Sequence, residues 1–204
     1  MKSSRKAAKH KKRPKHRTGK PTSPTQGASH GLKLAPVGAG PAAAPPGPRA
    51  TRPHIPGYGI AAANEGRGLL PWSWAENRLT KSWNYWLATA RPDGRPHVMP
   101  IWGLWYEGAF WFSTGDKTVK ARNLALNPAC VICTERAEEA VVLEGVAEWV
   151  AASAALQPLW AAYHKKYEWD MKGTGFFKVR PRVAFGLIEK GELFTQTATR
   201  WIFS

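Results

Sequence analysis

The chain has 204 residues, 30 Lys+Arg against 14 Asp+Glu, a net charge of +16 and two cysteines. That length holds one domain, or one domain and a tail. No apolar run reaches the roughly 18–20 residues of a bilayer-crossing helix, and no apolar segment follows the basic N-terminus as a secretory signal requires. With too few cysteines for a disulfide framework, the expectation is a cytoplasmic protein without a membrane span.

The charge is unevenly spread. Residues 1–70 hold 14 basic residues, one acid (Glu65) and 10 of the 17 prolines, whereas all 11 tryptophans follow residue 70. The basic run from Lys2 to Lys20 and the Pro/Gly/Ala-rich stretch to Pro56 carry too little apolar area to offset the entropy of ordering. Residues 1–70 therefore read as a disordered tail and 71–204 as the folded domain. The tail's charge implies weak, salt-sensitive, nonspecific affinity for nucleic acid or an anionic surface. Its one aromatic residue, Tyr58, leaves nothing for base-specific stacking. A dispensable extension is the alternative reading.

Pro71-Trp72-Ser73-Trp74-Ala75-Glu76 opens a helix, with Ser73 as N-cap and Glu76 in the capping-box position. Asn84–Ala90 and Arg95–Tyr106 read as strands joined by the turn Arg91-Pro92-Asp93-Gly94. Glu107-Gly108 turns the chain into a third strand, Ala109–Thr114. Gly115 breaks the pattern, and Asp116 can cap a helix carrying Val119, Arg122, Asn123 and Leu126, closed by Asn127-Pro128. Strands follow over Ala129–Thr134 and Ala140–Val150. The stripe Leu156, Leu159, Trp160, Tyr163, Tyr167 then predicts a helix over Ser153–Tyr167, its second segment opened by Pro158. Phe176–Ile188 and Leu193–Thr197 bring the count to about seven strands, a small mainly-β barrel with helices, of α+β class.

The chemistry-bearing stretch runs from Ser113 to Leu124. A strand ends in the hydroxyls of Ser113 and Thr114, turns at Gly115 and enters a helix whose N-terminal N–H groups favour an anion. Lys117 sits in the turn, and Lys120 lies one turn into the helix, where its ammonium can swing back to a phosphate. A solvated, capped helix has the same pattern. Upstream, Pro100 interrupts Gly94–Trp102, so that strand is at an edge or bulged, and an aromatic ligand could lie against it. Cys130 and Cys133 face opposite sides of a strand, which suits a core role and not a metal or redox site. His97 and His164 are the domain's histidines, and no catalytic constellation is identifiable. Thr199-Arg200-Trp201 reads either as a ligand contact or as a terminal strand plugged by Trp201.

From Trp72 to Ser204 the chain resembles the pyridoxamine 5′-phosphate oxidase-like, flavin-binding split-barrel family, through the run YWLATARPDGRPHVMPIWGLWYEGAFWFSTGDKTVKARNLALNP. The resemblance implies a six-stranded antiparallel split β-barrel that forms a homodimer, with the flavin in a groove between protomers. On the family's motif, His97, Val98, Met99, Pro100, Ile101 and Trp102 would line the flavin ring and ribityl chain, and Ser113 and Thr114 would touch its phosphate end. Lys120 matches the phosphate-binding lysine, and Arg122 and Asn123 would complete the anchor. Val119 stands where relatives carry a second basic residue, a role left to Lys117 or Arg122. Arg200 and Trp201 lie where the C-terminal strand would approach the groove, for substrate or cofactor. The chain lacks the basic and His-containing C-terminus of true pyridoxamine 5′-phosphate oxidases, so vitamin B6 oxidation is not implied. STG…VKARNL also resembles the branch that uses the deazaflavin coenzyme F-420. The resemblance thus implies an FMN-dependent oxidoreductase acting on a small molecule, with coenzyme F-420 as the alternative cofactor. A non-catalytic flavin- or haem-binding module is the alternative function. The cofactor would carry the hydride, so no protein nucleophile is needed, and His97 is the candidate general acid.

Overall fold

The structure, a computed structural model, describes residues 47–62 and 68–204. Alternation along the strands decides which side is core. In β2 (Tyr85–Ala90), Tyr85, Leu87 and Thr89 are buried while Trp86, Ala88 and Ala90 face outward. The turn at residues 91–94, with Gly94 at φ 83°, returns the chain into β3 (Pro96–Ile101). β4 (Leu104–Tyr106) and β5 (Ala109–Phe112) form a tight hairpin, followed by β6 (Ala129–Thr134), β7 (Glu139–Val150), β8 (Phe176–Ile188) and β9 (Thr199–Ile202). Every pairing is antiparallel.

The six-strand path β3-β2-β6-β7-β8-β5 makes the split barrel, an α+β fold with an open sheet. The 13-residue β8 is what splits it. While one edge of β8 stays paired with β7 throughout, the other pairs with β5 in its first half (Phe112 opposite Phe177) and with β9 in its second half (Phe185 opposite Arg200). A bulge at Glu144/Gly145 of β7 falls beside Pro181, where the missing N–H is tolerated. Inside lie Tyr85, Leu87, Phe110, Phe112, Ile132, Leu143 and Val179, closed by Ala75 and Leu79 of α1 (Trp72–Lys81) and by Leu124 of α2 (Val119–Leu126). A second cluster forms where α3 (Gln157–Tyr167) lays Leu159, Tyr163 and Tyr167 on Leu104, Trp111 and Phe176. Pro158 sits in the first turn of α3, as expected.

Local expectations fail where the partner is distant. Ser73 is inside α1, whose extended N-cap is Pro71. Thr118, not Asp116, caps α2, its hydroxyl accepting from the Ala121 N–H at 3.3 Å. The expected strand Arg95–Tyr106 is two strands broken at Trp102-Gly103. Leu193–Thr197 belongs to a helix, α4 (Gly191–Thr197), and the last strand is Thr199–Ile202.

The reason for α4 lies in the expected tail. Phe194 packs its ring 5.8 Å from that of Tyr58. Nearby, β1 (Arg49–Thr51) pairs with β9, the buried Arg52 donates to the Ala198 carbonyl at 3.2 Å, and the Leu70 N–H donates to the buried Thr199 hydroxyl at 2.8 Å. Residues 49–62 and 68–70 thus pack on the fold, although their composition reads as tail. The disorder expected of residues 1–46 and 63–67 lies outside the described residues.

A chain beginning at Pro71 loses β1, the buried Leu70 and the hydrogen bond to Thr199. It should be less stable than the full chain by about 3 kcal/mol, summing one buried leucine and one hydrogen bond, in urea unfolding at neutral pH.

Candidate functional site

β3 is a sheet edge, paired only with β2, and Pro100 removes one of its free N–H groups. Its apolar side chains are open: Val98 is 50% exposed, Met99 43% and the following Trp102 39%, whereas Ile101 is buried. The register splits the run His97–Trp102 between two faces. His97, Met99 and Ile101 stand opposite Thr89, Leu87 and Tyr85 on the core side, and Val98 and Pro100 stand opposite Ala88 and Trp86 on the outer side. His97 is half-buried, and its Nδ1 is enclosed without a hydrogen-bond partner.

The segment after β5 is knotted to itself. The Ser113 hydroxyl donates to the Gly175 carbonyl at 3.0 Å, Thr114 Oγ1 lies 3.2 Å from Thr118 Oγ1, and Thr118 donates to the Gly115 carbonyl at 2.8 Å. These bonds fix the first turn of α2, whose open N–H groups carry partial positive charge. Lys120 is half-buried and precedes the buried Asn123 and Leu124 by three and four residues, so it shares their barrel-facing side. Arg122 is exposed on another side of α2, over a cavity of about 260 Å³ bordered by Arg91, Asp93 and Arg95. Among the described residues, Lys117, Lys120 and Arg122 make no salt bridge.

Asn123 lies inside the fold. Only 3% exposed, it donates through Nδ2 to Thr89 Oγ1 at 2.9 Å, and Thr89 in turn reaches the His97 carbonyl at 3.4 Å. Its Nδ2 ties α2 to the head of β3. The same tie sets Lys120 and the Ser113–Lys117 turn at the His97 end of the edge strand. Trp201 is a correction. It is fully buried, edge-on to Trp72 with centroids 5.3 Å apart, and sits where a Cβ on Gly186 would fall. It is a plug. Arg200, its neighbour, is half-buried on the opposite, outer face, in register with Phe185.

At the far end of β3 lies a knot that sequence reasoning missed. A Cβ on Gly103 would strike the Phe110 ring and come within 2.9 Å of the Trp111 carbonyl, so only glycine passes here. The Gly103 N–H donates to Tyr167 Oη at 2.9 Å, and that hydroxyl lies 2.8 Å from the carbonyls of both Gly103 and Trp83. Lys166 Nζ donates to Tyr85 Oη at 2.9 Å and to the Gly103 carbonyl at 3.1 Å. Tyr167 was visible as part of a helical stripe; Lys166 gave no signal, because all its partners are distant in sequence. Cys130 is a core residue, as expected, and burial pushes its thiol up to about 12; Cys133 is half-buried on the outer face, and burial raises its thiol. No His/Cys/Asp/Glu cluster among the described residues could hold a metal, and no helix among them is long and apolar enough to cross a membrane.

A family model described as pyridoxamine 5′-phosphate oxidase matches residues 76–188. Among solved structures, a conserved hypothetical protein from Mycobacterium tuberculosis is similar at 21% identity, covering 68% of this chain and 88% of that one, with a TM-score of 0.50. A pyridoxamine 5′-phosphate oxidase-related, FMN-binding protein from Nostoc punctiforme matches at 17% identity over 67% and 98%, TM-score 0.46. A protein named F-420 reductase matches at 23% identity over 53% and 94%, TM-score 0.45. At these identities the likeness is one of fold. No curated protein matches the chain.

Burial lowers the Lys166 ammonium to about 8, with the Glu135 carboxylate pulling weakly the other way. An unfolded lysine keeps its proton to about pH 10.4, so between the two values the unfolded chain binds more protons and stability rises with pH. Lys166→Met lacks this group. The stability of the native chain relative to Lys166→Met should therefore increase from about pH 7 to about pH 10 in urea melts.

Proposed function

Because the chain belongs to the pyridoxamine 5′-phosphate oxidase family, we propose that it is a flavin-dependent oxidoreductase acting on a small molecule, with FMN as its cofactor. The observation that carries this reading is the unpaired Lys120, set by the Asn123–Thr89–His97 tie at the head of an exposed apolar edge strand. The residues fit the group. Lys120, with the Thr114 hydroxyl and the N–H groups of the α2 turn, suits a dianionic phosphate. The enclosed, unpartnered Nδ1 of His97 suits a polar ring or ribityl atom. The edge of β3 suits a flat ring, with Val98 and Met99 excluding water beside it. Coenzyme F-420, which also carries a phosphate next to its ring and side chain, is the alternative occupant. Either would supply hydride transfer when bound, leaving the protein to bind, orient and desolvate it. His97 is the titratable group on β3, and the reading gives it any proton delivered to the ring.

The reading also includes a homodimer. Across the outer sheet face, Pro100, Trp86, Cys133, Val142 and Phe185 stand in one register row that ends at Arg200. Trp86 is 46% exposed. An apolar row with an indole near one end and a cation at the other has the composition of an interface core. A second copy over this face would wall the open edge of β3 into a groove.

Lys120→Ala should weaken FMN binding by roughly 1.5–3 kcal/mol, the range for a hydrogen bond to a charged group, in equilibrium titrations of FMN and of coenzyme F-420. Unchanged affinity for both would remove Lys120 from the site. In sedimentation the full chain should run as a dimer at micromolar concentration, and Trp86→Asp should run as a monomer.

A further inference from the structure

Three indoles stay half-exposed around one buried tyrosine, and the proposed cofactor site does not account for them. Trp102 lies flat on Tyr167, with centroids 4.8 Å apart and planes 8° from parallel. Trp83 meets the same tyrosine edge-on at 5.0 Å, and Trp169 meets Trp102 edge-on at 6.5 Å. Their exposures are 39%, 47% and 58%. Indoles left open in a cluster, when the chain has an apolar core available, mark a surface that binds something.

The cluster is held rigidly. Tyr167 is pinned by Gly103 and Trp83, and Lys166 bonds both Gly103 and Tyr85, with its ammonium 5.2 Å from the centroid of the Tyr167 ring. The backbone on either side of Trp102 cannot swing, so its outer face is presented at a fixed angle. Beneath the cluster the polar groups are engaged, whereas the indole N–H groups of Trp83, Trp102 and Trp169 have no hydrogen-bond partner among the described residues. Lys166 and Tyr167 both bond Gly103, and the Glu135 carboxylate accepts from the backbone N–H of Trp83 at 2.8 Å and from Asn84. An occupant would find broad π faces edged by indole N–H groups, which donate and cannot accept. A sugar needs its hydroxyls paired, and an anion needs an uncommitted cation; a flat uncharged ring needs neither.

The geometry points to the Trp102 face, flanked by Trp83 and Trp169, as the substrate platform for a planar, uncharged, conjugated ring. This rests on the flavin reading only for the word substrate. Trp102 lies just past β3, about 10 Å along the chain from Met99 at the rise of an extended strand, so a ring on the platform adjoins one lying along Val98–Ile101. Trp102 then serves the second ligand and not the cofactor.

The test is isothermal calorimetry on the full-length protein with 2-naphthol as the planar neutral probe, cyclohexanol as its non-planar counterpart, cellobiose as the sugar, and FMN for the cofactor. Naphthol should bind, and cyclohexanol and cellobiose should not. Trp169→Ala, at a side chain too exposed to support the fold, should weaken naphthol about fivefold to tenfold and leave FMN affinity unchanged; Trp169→Phe should restore most of it. Trp102→Leu should weaken naphthol further. Unchanged naphthol affinity in Trp169→Ala, or binding of cellobiose or cyclohexanol as tight as naphthol, would overturn the proposal. Naphthol binding that depends on Trp169 in a protein that binds neither FMN nor coenzyme F-420 would keep the platform and sink the flavin reading.

Discussion

The peptide at Gly103 is the point on which the architecture turns. Its N–H and carbonyl are both engaged by the Tyr167 hydroxyl, its carbonyl also takes Lys166, and no side chain fits between it and the Phe110 ring. These contacts end β3, start β4 in a new direction and dock α3 against the β4–β5 hairpin. They couple the two hydrophobic clusters, because Tyr85 belongs to the barrel interior and Tyr167 to the cluster under α3. Burying an ammonium to do this carries a desolvation cost. Its two hydrogen bonds and the adjacent aromatic faces offset only part of that cost, which is why its ammonium is lowered to about 8.

The same edge strand is fixed at its other end by uncharged groups. Asn123 and Thr89 are buried, and each satisfies the other's polar atom before Thr89 reaches the His97 carbonyl. A buried amide–hydroxyl pair of this kind is stabilising only if both members are satisfied. It also orients α2 as a rigid piece relative to β3. The cations of α2 therefore keep a constant relation to the edge strand, which a surface loop alone would not provide. Between the two fixed ends, Val98 to Pro100 remain the accessible part of the strand.

The outer row and the β9 edge are solved differently. Residues 49–51 cover β9 as an added strand, so that sheet edge is shielded within the chain. The row from Pro100 to Phe185 has no such cover among the described residues. The proposed homodimer would use that uncovered face, with the open edge of β3 at its margin.

Much was legible locally. The strands 129–134 and 176–188, the helix over Lys120, Pro158 in the first turn of α3 and the Gly94 turn follow from alternation, helical spacing and backbone stereochemistry, which depend on near neighbours. The family was legible too, because the hairpin, the Ser-Thr-Gly turn and the Lys120 helix occur in a fixed order. What the sequence by itself could not determine were properties of partners far along the chain. Asn123 reads as part of the anchor, and Thr89, which accepts from its Nδ2, is 34 residues away. Trp201 reads equally as a ligand contact or a plug until the space over Gly186 encloses it. Leu193–Thr197 reads as a strand until the strap at Tyr58 gives it a helical docking surface. Lys166 gives no signal in the sequence, because the Tyr85 hydroxyl that accepts a hydrogen bond from it is 81 residues away. Residue type and spacing determine backbone preference and chemistry, but burial belongs to whichever distant surface closes over a side chain, and only the tertiary structure decides that.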